Sequence, residues 1–190
     1  MSDEENWQRF ERLAMPHLDA AYNLARWLLR NDHDAQDVVQ EAVMRALRYL
    51  DTFRGENARA WLLQIVRHCC FNWLRENRPS EKVSLDDDDA AFEVPAPAAE
   101  EPPAIAARKD DRARIDAALA ALPVAYREVL VLRELEDLAY KDIARIAEIP
   151  VGTVMSRLAR ARALMREALS PGARPILRPV PRPTHSGRIS

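Results

Sequence analysis

The chain has 190 residues with 28 basic and 30 acidic side chains, a net charge of -2 and 48% apolar residues, which fits a soluble protein of one or two small domains. No apolar run approaches the ~18 residues that a bilayer span needs. The acidic opening Met1-Ser2-Asp3-Glu4-Glu5 has the wrong polarity for a secretory signal, so a cytoplasmic protein without a membrane span is expected.

Proline divides the chain. Five of the 13 prolines lie between Pro79 and Pro103 and five more between Pro171 and Pro183. This predicts two folded blocks, 1–78 and 112–170, with a linker at 79–111 and a disordered tail at 171–190. Charge follows the same partition. The linker has 3 basic against 10 acidic residues, the tail 4 basic and no acidic ones, and the two blocks are nearly balanced. Overall charge therefore says little about partners.

In the first block, Leu18, Tyr22, Ala25 and Leu29 form one helical stripe, with Asn31 expected to close that helix. From Ala35, the apolar positions Val38, Val39, Ala42, Val43, Ala46, Leu47 and Leu50 form a second stripe over four turns, opened by Asp32 and Asp34. The loop Asp51-Thr52-Phe53-Arg54-Gly55-Glu56-Asn57 follows. A helix marked by Trp61, Leu62, Ile65, Val66, Cys69 and Trp73 then runs to about Asn77, before Pro79. Nine of the twelve aromatics precede Pro79, and a block this small is expected to use most of them as core. Cys69 and Cys70 are the only cysteines. They offer no disulfide framework, and a zinc site would have to recruit distant ligands such as His17 or His33, so buried or semi-buried thiols and no metal are expected.

In the second block, Ile115, Ala118, Leu119 and Leu122 form a stripe, and Pro123 opens a helix with Tyr126, Val129, Leu130 and Leu132 on its apolar side. A short helix Lys141 to Ala147, a turn Glu148-Ile149-Pro150 and a longer helix from Val151 to about Leu169 have the spacing of a helix-turn-helix. At about 100° per residue, Val151, Val154, Leu158, Ala161 and Met165 face one way and Thr153, Ser156, Arg160 and Ala163 the other, with Arg157 at the border. The outer face is small, hydroxylic and basic, suited to a close approach by DNA. The whole reads as an all-α protein of two small helical domains.

Four segments in register resemble the extracytoplasmic-function (group IV) type of the sigma-70 family: Asp34-Ala35-Gln36-Asp37-Val38-Val39-Gln40-Glu41; Phe53-Arg54-Gly55 with Trp61-Leu62 and Ile65; Ala121-Leu122-Pro123; and Ile149-Pro150-Val151-Gly152-Thr153-Val154-Met155-Ser156-Arg157-Leu158. The resemblance implies a transcription initiation factor that binds core RNA polymerase and promoter DNA, with no cofactor and no catalysis of its own. A sigma-2 domain would bind the β′ clamp coiled coil and open the minus-10 element. A sigma-4 domain would bind the β flap and read the minus-35 element. The resemblance also implies an anti-sigma factor as a further partner.

Carried over residue by residue, Asp37, Gln40 and Glu41 match the polymerase-facing segment. Phe53, Arg54, Gly55, Glu56 and Asn57 match the loop that captures an unstacked base, with Phe53 read as an anchor for that loop. Arg67, His68, Asn72 and Arg75, with Arg78 beyond them, match the minus-10 helix, where His68 replaces the family's usual asparagine and Asn72 its aspartate. Lys141, Thr153, Ser156, Arg157 and Arg160 match the minus-35 surface, with Tyr140 beside Lys141. Met155 replaces a frequent Lys or Arg, and Ala139 a capping Ser or Thr. The acidic linker, with Asp86-Asp87-Asp88-Asp89, would thread the polymerase cleft or serve as a plain tether. Two rival readings are a stand-alone helix-turn-helix regulator, which would leave residues 53–57 without a purpose, and a non-DNA interaction module. An enzyme is not expected, because no phosphate loop or nucleophile-base constellation is present.

Overall fold

The computed structural model describes residues 3–55, 57–78 and 107–170, and every regular element among them is helical. The first block holds α1 (Asp3–Ala14), α2 (Leu18–Leu29), α3 (Asp32–Arg48) and α4 (Ala58–Asn77). The second holds α5 (Ala107–Ala121), α6 (Val124–Leu130), α7 (Tyr140–Ala147) and α8 (Val151–Leu169). A π-helical turn, Val131–Leu135, continues α6. α5 begins ahead of the expected Arg112. The acidic run at 86–89 and the arginines beyond residue 170 lie outside the described residues.

The α2–α3 hairpin corrects one expectation. Asn31 opens α3 rather than closing α2, its Oδ1 accepting from the backbone N–H groups of His33 and Asp34 at 2.9 and 3.0 Å. Arg30 ends α2 in the left-handed region at φ 56°, donating its N–H to the Arg26 carbonyl at 2.8 Å. A carboxamide oxygen can reach free N–H groups at a helix start, whereas this helix end required a turn of the backbone.

The core is aliphatic, contrary to the expectation built on aromatics. Leu24, Leu28, Leu29, Leu62, Leu63 and Leu74 are fully buried, with Ala21, Ala25, Ala35, Ala42, Ala46 and Ala60 between them. Each such leucine contributes about 1.5–3 kcal/mol through burial, and the alanines let the helix axes approach closely. Trp27, Trp61 and Trp73 pack only partly buried at the rim and Trp7 is exposed; among the described residues of the block, Phe10 is the one fully buried ring. In the second block the stripe of α8 forms over its middle, with Val154, Leu158 and Ala161 buried and Met165 partly so, while Val151 at the first turn and Ile115 of α5 are exposed, contrary to expectation.

Ala139 occupies the N-cap of α7 in extended backbone (φ -67°, ψ 149°) and gives no side-chain cap. Ala139→Ser places an acceptor at a backbone already shaped for it, and should raise stability by about 1 kcal/mol in urea unfolding. An unchanged midpoint would contradict this reading of the helix start.

The two blocks pack on each other. α6 lies against α2 and α7 against α4, and the buried side chains of both blocks form one continuous cluster.

Candidate polymerase and nucleic-acid surfaces

Asp37, Gln40 and Glu41 lie on α3 away from the buried Val38 and Ala42. Each carboxylate has a basic side chain one turn away. Asp37 pairs with His33 at 3.2 Å and Glu41 with Arg45 at 2.6 Å. Exposed pairs of this kind are worth only a few tenths of a kcal/mol, so a stronger basic partner can displace them. Met44, 58% exposed, continues the same ridge at one further turn. Sequence periodicity passed over it because it borders the Val43 stripe without belonging to it.

The loop after α3 is pinned from two sides. The Phe53 ring packs on Trp61 with centroids 5.2 Å apart, which gives Phe53 the anchoring role, and Arg9 of α1 donates to the Phe53 carbonyl at 3.4 Å. A Cβ at Gly55 would lie 3.4 Å from the Phe53 ring, an ordinary contact, so the position of that ring across the loop does not depend on glycine. Arg54 and Gly55 are exposed. Asn57 is engaged differently from the expected base-capturing role: its Oδ1 caps α4 by accepting from the Ala60 N–H at 2.9 Å. Glu56 lies outside the described residues.

Along α4 the expected minus-10 residues separate into two groups. Asn72 and Arg75 stand at the open end, with Arg75 donating to the Asn72 Oδ1 at 2.6 Å. Arg67 and His68 meet the second block instead. Arg67 is buried and ion-paired with Glu128 of α6, and its guanidinium lies over the Phe71 ring at 4.4 Å. His68 contacts Glu148 at 3.1 Å, and Gln64 donates to the same carboxylate at 3.0 Å. Arg59 pairs with Glu136 at 2.5 Å, and Asn23 donates to Glu136 at 2.5 Å. A solvent-facing Arg67 is thus not what this arrangement presents.

Arg127 makes a further inter-block contact. Its guanidinium donates to the carbonyls of Trp27 and Leu28 at the end of α2 and to Leu122 beyond α5, where helix dipoles favour a cation.

Sequence reading missed Arg127, Glu128, Glu136 and Glu148. A signal for the first two existed, since Arg127-Glu128 interrupts the apolar run from Val124 to Leu132. Burial pushes the Glu128 carboxyl above its ordinary range, against the pull of Arg67 and Arg157. Hydrogen bonding from His68 holds the Glu148 carboxyl below its ordinary range. Glu148 also occupies left-handed backbone at φ 57°, a conformation that costs a non-glycine residue roughly 1 kcal/mol.

On α8, Thr153, Ser156 and Arg160 share the outer face with Gly152, where an added Cβ would meet nothing within 4 Å. Ser156 returns its hydroxyl to the Thr153 carbonyl at 3.0 Å. Lys141 is exposed on the neighbouring α7. Arg157 departs from its expected border position: it is buried, and its charge opposes the upward push of burial on the Glu128 carboxyl.

An apolar groove of about 420 Å³ lies between α5, α6 and α8, lined by Ile115, Leu119, Leu130, Leu135 and Met165. Cys69 and Cys70 are buried, and burial raises both thiols, which keeps them from the reactive thiolate form. Among the described residues no group of three metal-ligating side chains converges, and no helix is long and apolar enough to cross a membrane.

Comparison with known proteins assigns both blocks. Residues 13–79 match sigma-70 region 2, and residues 112–165 match sigma-70 region 4. The chain is 35% identical over 167 residues to the RNA polymerase sigma-H factor of Pseudomonas aeruginosa, covering 85% of this chain and 86% of that one. It is 35% identical over 153 residues to the ECF RNA polymerase sigma-E factor of Haemophilus influenzae, covering 78% and 80%. Among solved structures it resembles the sigma factor RpoE in complex with the anti-sigma factor NepR from Bartonella quintana, with a TM-score of 0.64, 28% identity, and 84% of this chain and 96% of that one covered. Two sigma regions in one chain, in order, favour this family over a stand-alone helix-turn-helix regulator. The chain belongs to the sigma-70 family, as an alternative RNA polymerase sigma factor of the extracytoplasmic-function type that directs core polymerase to promoters in transcription initiation.

Proposed function

We propose that this sigma factor divides its work among three surfaces. The α3 ridge of Asp37, Gln40 and Glu41, extended by Met44, meets the β′ clamp coiled coil. Its support is a row of carboxylates held only by exchangeable neighbours, beside one exposed apolar side chain.

The loop from Phe53 to Asn57, with Arg67, His68, Asn72 and Arg75 of α4, takes the unstacked non-template strand of the minus-10 element. Arg54 offers a charged edge there, and Gly55 leaves room for a base. Lys141, Thr153, Ser156 and Arg160 read the minus-35 duplex, and Arg157, buried here, joins them once it is uncovered. The groove between α5, α6 and α8 seats a polymerase helix from the β flap. The protein works in the cytoplasm with the polymerase and contributes binding rather than bond chemistry. An anti-sigma factor is a further partner, by analogy with the Bartonella complex.

The observation that carries the DNA reading is the outer face of α8. Gly152, Thr153, Ser156 and Arg160 form a small and basic strip at the second helix of a helix-turn-helix, with open space above Gly152. Run-off transcription with purified core polymerase on genomic fragments tests it. The chain should create start sites absent with core alone, with two shared elements at fixed spacing upstream. Start sites with no common upstream element would contradict the assignment.

A further inference from the structure

Arg9 of α1 belongs to none of the three surfaces proposed above, yet it reaches the loop on which one of them depends. One guanidinium nitrogen stands 3.5 Å from a carboxylate oxygen of Asp51, and the other donates to the Phe53 carbonyl at 3.4 Å. These acceptors lie 42 and 44 residues further along the chain. The helix that carries Arg9 is itself firmly seated, since Phe10 and Ala14 are fully buried and α1 packs on α3 and α4.

Phe53 is consequently held by three different elements. Its N–H donates to the Leu50 carbonyl at 3.1 Å and closes the turn after α3, its ring lies on Trp61 of α4, and its carbonyl accepts from α1. Asn57 is fixed in turn as the cap of α4. Residues 54–56 lie between these two fixed points, and Arg54 and Gly55 among them are exposed.

We propose that Arg9 is a positioning residue for base capture. Its guanidinium fork sets the path of the backbone at Phe53 and with it the place of Arg54 and Gly55, so the choice of base at the captured minus-10 position depends on a side chain of α1 that acts through the loop. This rests on the reading of residues 53–57 as the base-capturing loop.

The residue type suits the task. A planar guanidinium fixes two acceptors at once, whereas an ammonium is a single point of charge. A loop carbonyl outside regular structure needs a donor, and a donor on a seated helix ties the path of the loop to that helix. The ion pair itself adds little stability, because the Asp51 side chain is 74% exposed and that of Arg9 34%. Its effect is geometric. Hydrogen bonds that discriminate a base weaken steeply as they lose alignment, and misplacing a positioning group by about 1 Å can cost on the order of a hundredfold. The ordinary alternative is an arginine solvated on an amphipathic helix. Arg12 on the same helix is of that kind: it is exposed and donates to the Gln8 carbonyl one turn back, at 3.3 Å.

The test uses holoenzyme reconstituted from core polymerase and the full chain. The rate of open-complex formation is measured at one cognate promoter and at promoters carrying each other base, one position at a time, across the minus-10 and minus-35 elements. Arg54→Ala/Glu56→Ala identifies the position that the loop reads, as the minus-10 position whose base preference it weakens. Arg9→Met keeps the apolar stem and loses the fork. It should weaken the preference at that same position at least about fivefold, with minus-35 preferences and affinity for core polymerase unchanged. Arg9→Lys, with one ammonium for two acceptors, should fall between wild type and Arg9→Met. Arg12→Met removes the same charge from the same helix and should change no preference.

Wild-type preference in Arg9→Met overturns the proposal, and so does a loss spread equally over minus-10 and minus-35 positions, which is the mark of a damaged fold. The loop variant separates the two levels of the argument. If it alters no minus-10 preference, the reading of the loop fails and the role of Arg9 falls with it. If it alters one and Arg9→Met does not, the loop reading stands and Arg9 alone is dismissed.

Discussion

Holoenzyme reconstituted with Arg160→Glu is expected to initiate at least about 30-fold less often than wild type at a cognate promoter. A contact from a recognition helix to a base edge or phosphate is worth about 1–3 kcal/mol, and reversing the charge replaces attraction by repulsion; about 2 kcal/mol corresponds to roughly 30-fold. The substitution suits α8 because Glu and Arg have similar helix propensities, and Arg160 lies on the outer face rather than among Val154, Leu158 and Ala161. The affinity of the variant for core polymerase should be unchanged. Wild-type binding should also fall more steeply with salt than that of the variant, since one cationic contact is gone. Equal initiation by the two proteins at a promoter with an intact minus-35 element would remove Arg160 from the interface.

The polymerase contact predicts an effect of comparable size at a different step. Asp37→Lys/Glu41→Lys should weaken association with core polymerase at least tenfold, about 1.4 kcal/mol, in a competition assay against a labelled wild-type chain. The local cost is small. The substitutions remove two exposed pairs, Asp37 with His33 and Glu41 with Arg45, and leave Arg45 facing a second cation one turn away, a change of under about 1 kcal/mol in total. A stability loss is therefore not an adequate cause of failed assembly, and urea unfolding of the free variant checks this. Retained affinity with an unchanged unfolding curve would show that the clamp contacts another face.

Much of the fold was legible because helix periodicity is local. The α3 and α8 stripes follow from residues three and four apart, and both emerge with Ala35, Val38 and Ala42, and with Val154, Leu158 and Ala161, buried. The turn between α7 and α8 was readable from Glu148-Ile149-Pro150 because proline restricts the preceding residue and cannot continue a helix. Identity of the core residues was less legible. Counting aromatics suggested a core of large rings, but three close-packed helices need alanine where their axes meet, and rings are pushed to the rim.

The inter-block contacts could not be read from periodicity at all. Arg67 and Arg157 sit at positions that a helical wheel assigns to a solvated face, yet both are buried, Arg67 because Glu128 arrives against it. An acidic side chain buried in α6 looks like an error in an apolar stripe until a basic partner 61 residues earlier in the chain is brought against it. The same long-range character explains why the positions assigned to DNA by local resemblance divide here into outward-facing ones, such as Arg75 and Arg160, and covered ones, such as Arg67 and His68.

The central claim is that promoter recognition needs two surfaces, one for duplex and one for a melted strand, held apart by core polymerase. Footprinting of one cognate promoter with and without core polymerase tests it most directly, combining nuclease protection with permanganate reactivity of unpaired thymines. The holoenzyme should protect the minus-35 duplex and render minus-10 thymines reactive, while the free chain at the same concentration does neither. Protection of the promoter by the free chain alone, or a holoenzyme that protects the upstream duplex without ever opening the minus-10 region, would contradict the account.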